Sequence, residues 1–307
     1  GSEKFRIYGS TETHSSIEKA VRIAGMGRQN LVKVEVDEQF RMNPQKLKQG
    51  ILDDLEQGHQ PLCIVATLGT TGTTSIDPLA EIVAISKEFK VWLHVDAAMA
   101  GSALVLPEYR WMIQGMEQVD SFVFNPHKWM FTNFDCSAYF VKDPDLLIKT
   151  FEILPEYLKT WSRGQVNDYR DWGIPLGRRF RALKLWFVIR HYGVDGIRQK
   201  FREHLRITRQ LESWIRADRS FEITAPVPLN TICFRYHPEG MDGIEELNQF
   251  NESLLYALNA SGKLFLSHTK INGMYVLRIV IGQTYVTAQH VQDSWALIQE
   301  TAREMDQ

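Results

Sequence analysis

Nowhere in the chain does an apolar run approach the roughly 20 residues that a membrane-spanning helix needs. One of the richest stretches, Leu183–Val188, is interrupted by Lys184. Neither sign of charge is in excess: 35 Lys and Arg face 37 Asp and Glu, a formal charge of −2. That balance excludes the basic surplus on which generic binding to nucleic acid or anionic membranes relies. Cysteine is scarce. Cys63, Cys136 and Cys233 lie far apart in apolar segments, so buried reduced thiols are expected rather than a disulfide framework or a zinc motif. Internal repeats and low-complexity tracts are lacking too. The opening residues Gly1–Tyr8 are too polar for a secretory signal, and a cytoplasmic protein is the expectation. What remains is ordinary globular composition, 44% hydrophobic and 23% charged over 307 residues, a length that suggests about two domains.

The first 150 residues alternate short apolar runs with amphipathic ones. Phe5–Tyr8, Leu31–Val36, Leu62–Leu68, Val91–Val95, Val119–Phe124 and Ala138–Val141 read as strands. Ser15–Met26 reads as a helix, with Ser15 and Glu18 in capping-box spacing. Pro44–Glu56 and Pro78–Phe89 are also helical, the latter with Asp77 as its cap. Strands alternating with helices predict an α/β fold with a mainly parallel sheet covered on both faces. Residues 151–173 read as a long loop, the kind that commonly carries function. Pro175–Tyr192 and Val194–Ala217 then form helices punctuated by Gly193. Strands at Phe221–Thr224, Thr231–Tyr236, Lys263–Thr269 and Met274–Ile281 interleave with helices at Gly243–Ala260 and Thr287–Glu304. The division expected is a large domain over 1–194 and a smaller α+β domain over 195–307.

Ligands of open α/β sheets sit at the carboxyl ends of the strands, and four such ends carry reactive side chains. In Ser121-Phe-Val-Phe-Asn-Pro-His-Lys-Trp129, Lys128 follows an apolar strand, where poor solvation favours the neutral amine that forms an imine. Taken alone it reads as a surface lysine at a strand end, a reading that the adjacent Asn125, Pro126 and His127 weaken by supplying donors and a fixed turn. Asp96 ends the strand of Val91-Trp-Leu-His-Val-Asp-Ala-Ala98 and could hold a proton on a ring nitrogen, or simply cap a helix. His94 shares its face, but a third metal ligand at a familiar spacing is missing. Thr71 belongs to a Gly/Thr-rich turn, Thr67–Thr74, and His14 follows the first strand. Arg178, Arg179 and Arg181 flank Phe180 in an apolar segment, which suits ion pairing better than nucleic-acid binding. An imidazole, a hydroxyl, a carboxylate and an amine on one crevice are the parts a pyridoxal phosphate site requires.

Longer motifs sharpen this. Thr13-His-Ser-Ser-Ile-Glu-Lys-Ala20, Ala66-Thr-Leu-Gly-Thr-Thr71, Trp92-Leu-His-Val-Asp-Ala-Ala98 and Phe124-Asn-Pro-His-Lys-Trp129 resemble the group II pyridoxal-phosphate decarboxylases. Asn133-Phe-Asp-Cys-Ser137, Asp168-Tyr-Arg170 and Ile174-Pro-Leu-Gly-Arg-Arg-Phe-Arg181, with Gly177, resemble the aromatic-L-amino-acid decarboxylase branch in particular. The resemblance runs from about Phe5 to the carboxyl terminus. It implies an aminotransferase-like architecture of fold type I, pyridoxal 5'-phosphate as cofactor, and an aromatic amino acid as substrate. Lys128 would join the cofactor aldehyde, Asp96 pair with the ring nitrogen and His14 stack on the ring. Thr71 and Asn125 would bind its ring oxygen or phosphate, Ala98 would pack against it, and His127 would lie near phosphate and imine. Tyr157, in Leu154-Pro-Glu-Tyr-Leu158, matches the tyrosine of the family's mobile catalytic loop, which donates a proton after carbon dioxide leaves. That loop reaches the neighbouring subunit, implying a homodimer.

One departure stands beside the resemblance. The family's dimerisation segment, substrate-contacting residues and phosphate loop lie upstream of the region matched here. Either the chain is a fragment or another polypeptide supplies them. An aromatic aldehyde synthase on the same scaffold, and a catalytically silent half of a heteromer, are the alternative readings.

Overall fold

The computed structural model describes residues 4–153 and 166–307. Tyr157, the loop tyrosine singled out from the sequence, lies outside the described residues. Strands β1 (Phe5–Ser10), β2 (Leu31–Val34), β3 (Gln60–Thr67), β4 (Trp92–Asp96), β5 (Ser121–Phe124) and β6 (Ala138–Val141) form one sheet in the order β2-β1-β3-β4-β5-β6. All neighbours are parallel except β6, which closes the edge antiparallel to β5. Helices α1 (Ser15–Ile23), α2 (Pro44–Glu56) and α3 (Leu79–Phe89) make the crossovers. Leu93 and Val95 of β4 are fully buried among residues of α2 and α3. Their neighbours His94 and Asp96 point, by the period of two, to the other face.

The link from β4 to β5 departs from the crossover pattern. It consists of three 3-10 turns, Ala100–Val105, Pro107–Ile113 and Met116–Gln118. Gly101 lets this segment lie flat on β5, since a β-carbon there would run into Phe124. After β5 come the one-turn helix α4 (Pro126–Trp129) and, after β6, helix α5 (Pro144–Phe151). Helix α5 has no counterpart among the elements expected from the sequence, although Asp143 caps it by accepting from Asp145 N at 3.0 Å.

Helix α6 (Arg181–Ala217) begins six residues later than expected, because Pro175 and Gly177 keep 174–180 irregular. It continues through Gly193, whose φ of +64° marks a kink. Ile197, Phe201 and Leu205 enter the core of the parallel sheet. Ile207, Leu211 and Ile215 enter a second core. That core lies against an antiparallel sheet of β7 (Phe221–Ile223), β8 (Thr231–Tyr236), β9 (Ser267–Ile271) and β10 (Met274–Val280), ordered β7-β8-β10-β9. Helices α7 (Ile244–Ala260) and α8 (Ala288–Met305) pack on it. Strand β9 falls later than the expected Lys263–Thr269. Asn272 and Gly273, with φ of +50° and +82°, form the two-residue hairpin that sets its register with β10.

Two caps differ from the sequence reading. His14, not Ser15, caps α1, its side chain accepting from Ser16 N. Asp77 does not cap α3; its two oxygens accept from Met42 N and Thr67 N, each at 2.7 Å. Burial pushes this carboxyl up to about 7, against the pull of those two N–H groups. The folded chain therefore holds the proton more tightly than an unfolded carboxyl near ~3.9 does. The stability this contributes is full below about pH 4 and is lost as pH rises through about 7. Replacing Asp77 by Asn should remove that slope. In urea titrations at pH 5 and pH 8, the native-minus-variant stability should fall by on the order of 2 kcal/mol. An unchanged difference would refute the assignment.

The three cysteines are free, Cys136 and Cys233 buried and Cys63 partly so. Burial pushes the Cys63 thiol up to about 12 and that of Cys233 to about 11. Among the described residues, no helix is long and apolar enough to cross a membrane.

Candidate active site

The crevice forms where the parallel strands end. Asp96, the last residue of β4, is in register with Thr67 on β3 and Val123 on β5. The ladder continues past the strands: Leu68 N donates to Asp96 O, Ala97 N to Val123 O and Asn125 N to Ala98 O, all at 2.9 Å. These bonds tie the segment after Asp96 to the segment leading to Lys128. Pro126 then starts α4, its fixed φ suited to a first helical position. Lys128 N donates to Asn125 O at 2.9 Å.

Asp96 is 9% exposed, and its Oδ1 accepts from Ala98 N at 3.0 Å. Lys128 and Asp96 line one cavity of about 650 Å³, together with His14, Thr71, Ala98 and Asn125. His127 lines an adjoining hollow that Lys128 also borders. Its Nδ1 lies 2.7 Å from Cys136 O and 3.0 Å from Cys136 N, so the backbone of one residue can meet the ring in either tautomer. One expectation is corrected here. Lys128 is exposed rather than desolvated, because the turn of α4 directs it into an open crevice.

His14 lies at the start of α1, and its Nδ1 accepts from Ser16 N at 3.2 Å. Accepting there requires a lone pair on Nδ1, which leaves the ring proton of a neutral imidazole on Nε2. The Thr-rich loop is closed by the Leu68–Ile76 bridge and by Gly69 N and Thr70 N donating to Ser75 O. A buried relay of hydroxyls, Thr70 to Thr73 at 3.1 Å and Thr73 to Ser75 at 2.9 Å, fixes its shape. Thr71 stays exposed at its tip. Among the arginines expected to make ion pairs, Arg181 meets Asp135 at 3.0 Å.

Several crevice residues escaped the sequence reading. Arg278 of β10 lines the cavity, its Nε donating to Gly72 O at 2.7 Å and its Nη1 to Ser267 Oγ at 3.1 Å. A charged residue inside the apolar run Met274–Val280 was the available signal, since such a charge needs a reason to be there. Asn230 donates to Ile281 O at 2.9 Å, while its Oδ1 and the Thr67 Oγ1 are buried without a partner among the described residues. Both residues line the same cavity. So does His94, whose Nδ1 lies 2.8 Å from Ser121 Oγ. Burial lowers its pKa, with the nearby Asp96 charge acting in the opposite direction. Among the described residues, no group of three His, Cys, Asp or Glu side chains is placed to hold a metal ion.

Comparison with known proteins gives this crevice a context. Residues 2–237 match the pyridoxal-dependent decarboxylase conserved domain. Phenylacetaldehyde synthase from a Rosa hybrid cultivar is 43% identical over 98% of this chain and 61% of its own length. Tyrosine decarboxylase 4 from Petroselinum crispum is 42% identical over 97% of this chain and 60% of its own length. A crystal structure of Oryza sativa TDC with PLP and tryptamine superposes with a TM-score of 0.96 at 35% identity, covering 99% of this chain and 64% of that one. The chain thus spans about 60% of the length of these curated relatives.

Proposed function

The chain belongs to the pyridoxal-dependent decarboxylase family, and from that premise we propose that the crevice binds pyridoxal 5'-phosphate and serves decarboxylation of an aromatic L-amino acid to its amine. The observation that carries this reading is the amine of Lys128 and the carboxylate of Asp96 on neighbouring strand ends of one cavity. The residues fit the group. There is one primary amine for an aldehyde and one buried carboxylate for a ring nitrogen. The lining also holds two polar atoms, Thr67 Oγ1 and Asn230 Oδ1, that are buried without a protein partner.

When bound, the cofactor supplies an aldehyde for the substrate amine and a ring that withdraws electrons from the breaking carbon–carboxyl bond. The chain's own groups do the rest. Lys128 offers the amine, and Asp96 would hold a proton on the ring nitrogen. His14 would cover one ring face and Ala98 would pack against the ring. Thr71, Asn125 and His127 would meet the oxygens of ring and phosphate. Arg278, bonded to neutral oxygens, suits an anionic group of substrate or cofactor. Tyr157 would return a proton to the substrate carbon once carbon dioxide has left.

The aromatic substrate class is supported by relatives named for tyrosine and tryptophan decarboxylation. Phenylacetaldehyde synthases stand equally near, so the aldehyde product is the second reading; related aldehyde synthases can carry phenylalanine for the loop tyrosine or asparagine for the stacking histidine, so Tyr157 and His14 favour the amine. Product analysis with tyrosine, tryptophan, phenylalanine and dihydroxyphenylalanine tests the choice. Amine without hydrogen peroxide is expected, and aldehyde with stoichiometric peroxide would reverse it. With dioxygen as the oxidant and water as co-reactant, Tyr157→Phe should divert most turnover from amine to aldehyde, ammonia and peroxide. An unaltered amine yield in that variant would refute the proton-donor role.

We also propose a homodimer in a reducing, cytoplasmic compartment, the latter in keeping with three free thiols. The first half of α6 supports the dimer. It exposes Leu183, Trp186, Phe187 and Ile189, and no residue before Ile197 is buried. A helix apolar on so much of its surface belongs inside an assembly. Analytical centrifugation should give twice the chain mass, and Trp186→Glu should shift the species toward monomer. A native chain sedimenting as monomer at micromolar concentration would refute this.

A further inference from the structure

The residue after Lys128 is anchored on the long helix. Trp129 is 1% exposed, and its Nε1 donates to Nδ1 of His204 at 3.1 Å. His204 is itself 2% exposed. One turn earlier on α6, Phe201 stacks on the Trp129 ring with centroids 4.8 Å apart. Beyond α4, Phe131 adopts a φ of +53°, a conformation that a bulky residue rarely takes. Its ring is held by Phe201 at 5.3 Å and His204 at 5.8 Å. The turn carrying Lys128 is thus gripped from its carboxyl side by two residues of one helix face.

The bond from Trp129 also fixes the chemistry of His204. A nitrogen that accepts has no proton, so the neutral ring bears its proton on Nε2. Burial and Lys200 both lower the pKa of His204, while the backbone of Gln283 and Glu203 raise it. Gln283 follows Gly282, which lines the crevice and approaches Trp129 so closely that a β-carbon would lie 3.3 Å from its Cδ1. The indole that His204 holds therefore lies between two walls of the cavity, the turn of Lys128 and the segment after β10.

We propose that His204 is a positioning residue for Lys128, holding the α4 turn through Trp129 so that the lysine amine is presented to an aldehyde ligand in one place. The inference rests on the reading of Lys128 as the amine that meets pyridoxal phosphate. It turns on the acceptor at the δ position, which separates it from simple core filling. Asparagine offers an oxygen at that position; leucine fills similar space and offers none.

The test titrates the native chain, His204→Asn, His204→Leu and Trp129→Phe with pyridoxal 5'-phosphate. Adducts are reduced with borohydride, and label at Lys128 is measured by peptide mass spectrometry. His204→Asn should half-saturate within about twofold of the native chain, and His204→Leu about tenfold higher, as loss of a buried acceptor implies. Trp129→Phe keeps the stack on Phe201 and removes only the donor, so it should follow the leucine variant. It carries the test if His204→Leu fails to fold by circular dichroism. Equal labelling of Lys128 in the native chain and the donor- or acceptor-less variant would overturn the proposal alone. Absence of label at Lys128 in the native chain would overturn the functional reading, and the proposal with it.

Discussion

Lys128→Ala is expected to abolish the absorbance that pyridoxal phosphate develops on binding through an amine, and to lower turnover by on the order of 10³-fold or more. The side chain is exposed in the crevice and lines both the main cavity and the hollow beside His127. Removing it empties no core, so stability should stay within roughly 0.5 kcal/mol of the native chain. The loss of absorbance is then chemical and not a consequence of unfolding. The backbone bonds that shape the site also survive, since Lys128 N and Asn125 N donate from the main chain. Absorbance spectra with added pyridoxal phosphate, taken beside circular dichroism, check both statements. A persistent band in the folded variant would mean that another lysine meets the aldehyde.

The crevice was legible in the sequence because its parts follow a local rule. Apolar strands of alternating period end at Asp96 and before Lys128, and the carboxyl edge of a parallel sheet is where ligands collect. Helix α2 was equally plain, since Asn43 and Pro44 supply a cap and a first-turn proline. What stayed hidden depends on partners remote in the chain. Asp77 meets Met42 across 35 positions, and Arg278 meets Gly72 across 206. No periodicity reports such contacts. The 3-10 turns between β4 and β5 were also missed, because Gly101, Pro107 and Gly115 break any 3.6-residue pattern there. The exposure of Lys128 belongs to the same class: a strand can be read as buried, but the direction of the turn that follows is decided in three dimensions.

Asp96→Asn separates the second half of the proposed chemistry from the first. The substitution keeps an oxygen that can accept from Ala98 N, so the bend after β4 should persist. The other end of the side chain becomes a neutral amide, which cannot balance a positive charge on a ring nitrogen. Turnover should therefore fall by about 10²–10³-fold, the scale of one lost electrostatic stabiliser, here a carboxylate that is itself buried. Condensation at Lys128 should continue, because Asp96 takes no part in forming that bond. A second, independent reading comes from His94, on the same face of β4. Burial lowers its pKa while the Asp96 charge works to raise it, so neutralising Asp96 should lower it further. Imidazole resonances followed by NMR across pH 4 to 8 would register that displacement without any cofactor present. If turnover fell while His94 titrated as before, the loss would reflect disturbed geometry rather than a missing charge. If His94 moved and turnover did not, the carboxylate would be a structural neighbour of the crevice and not the partner of the ring nitrogen.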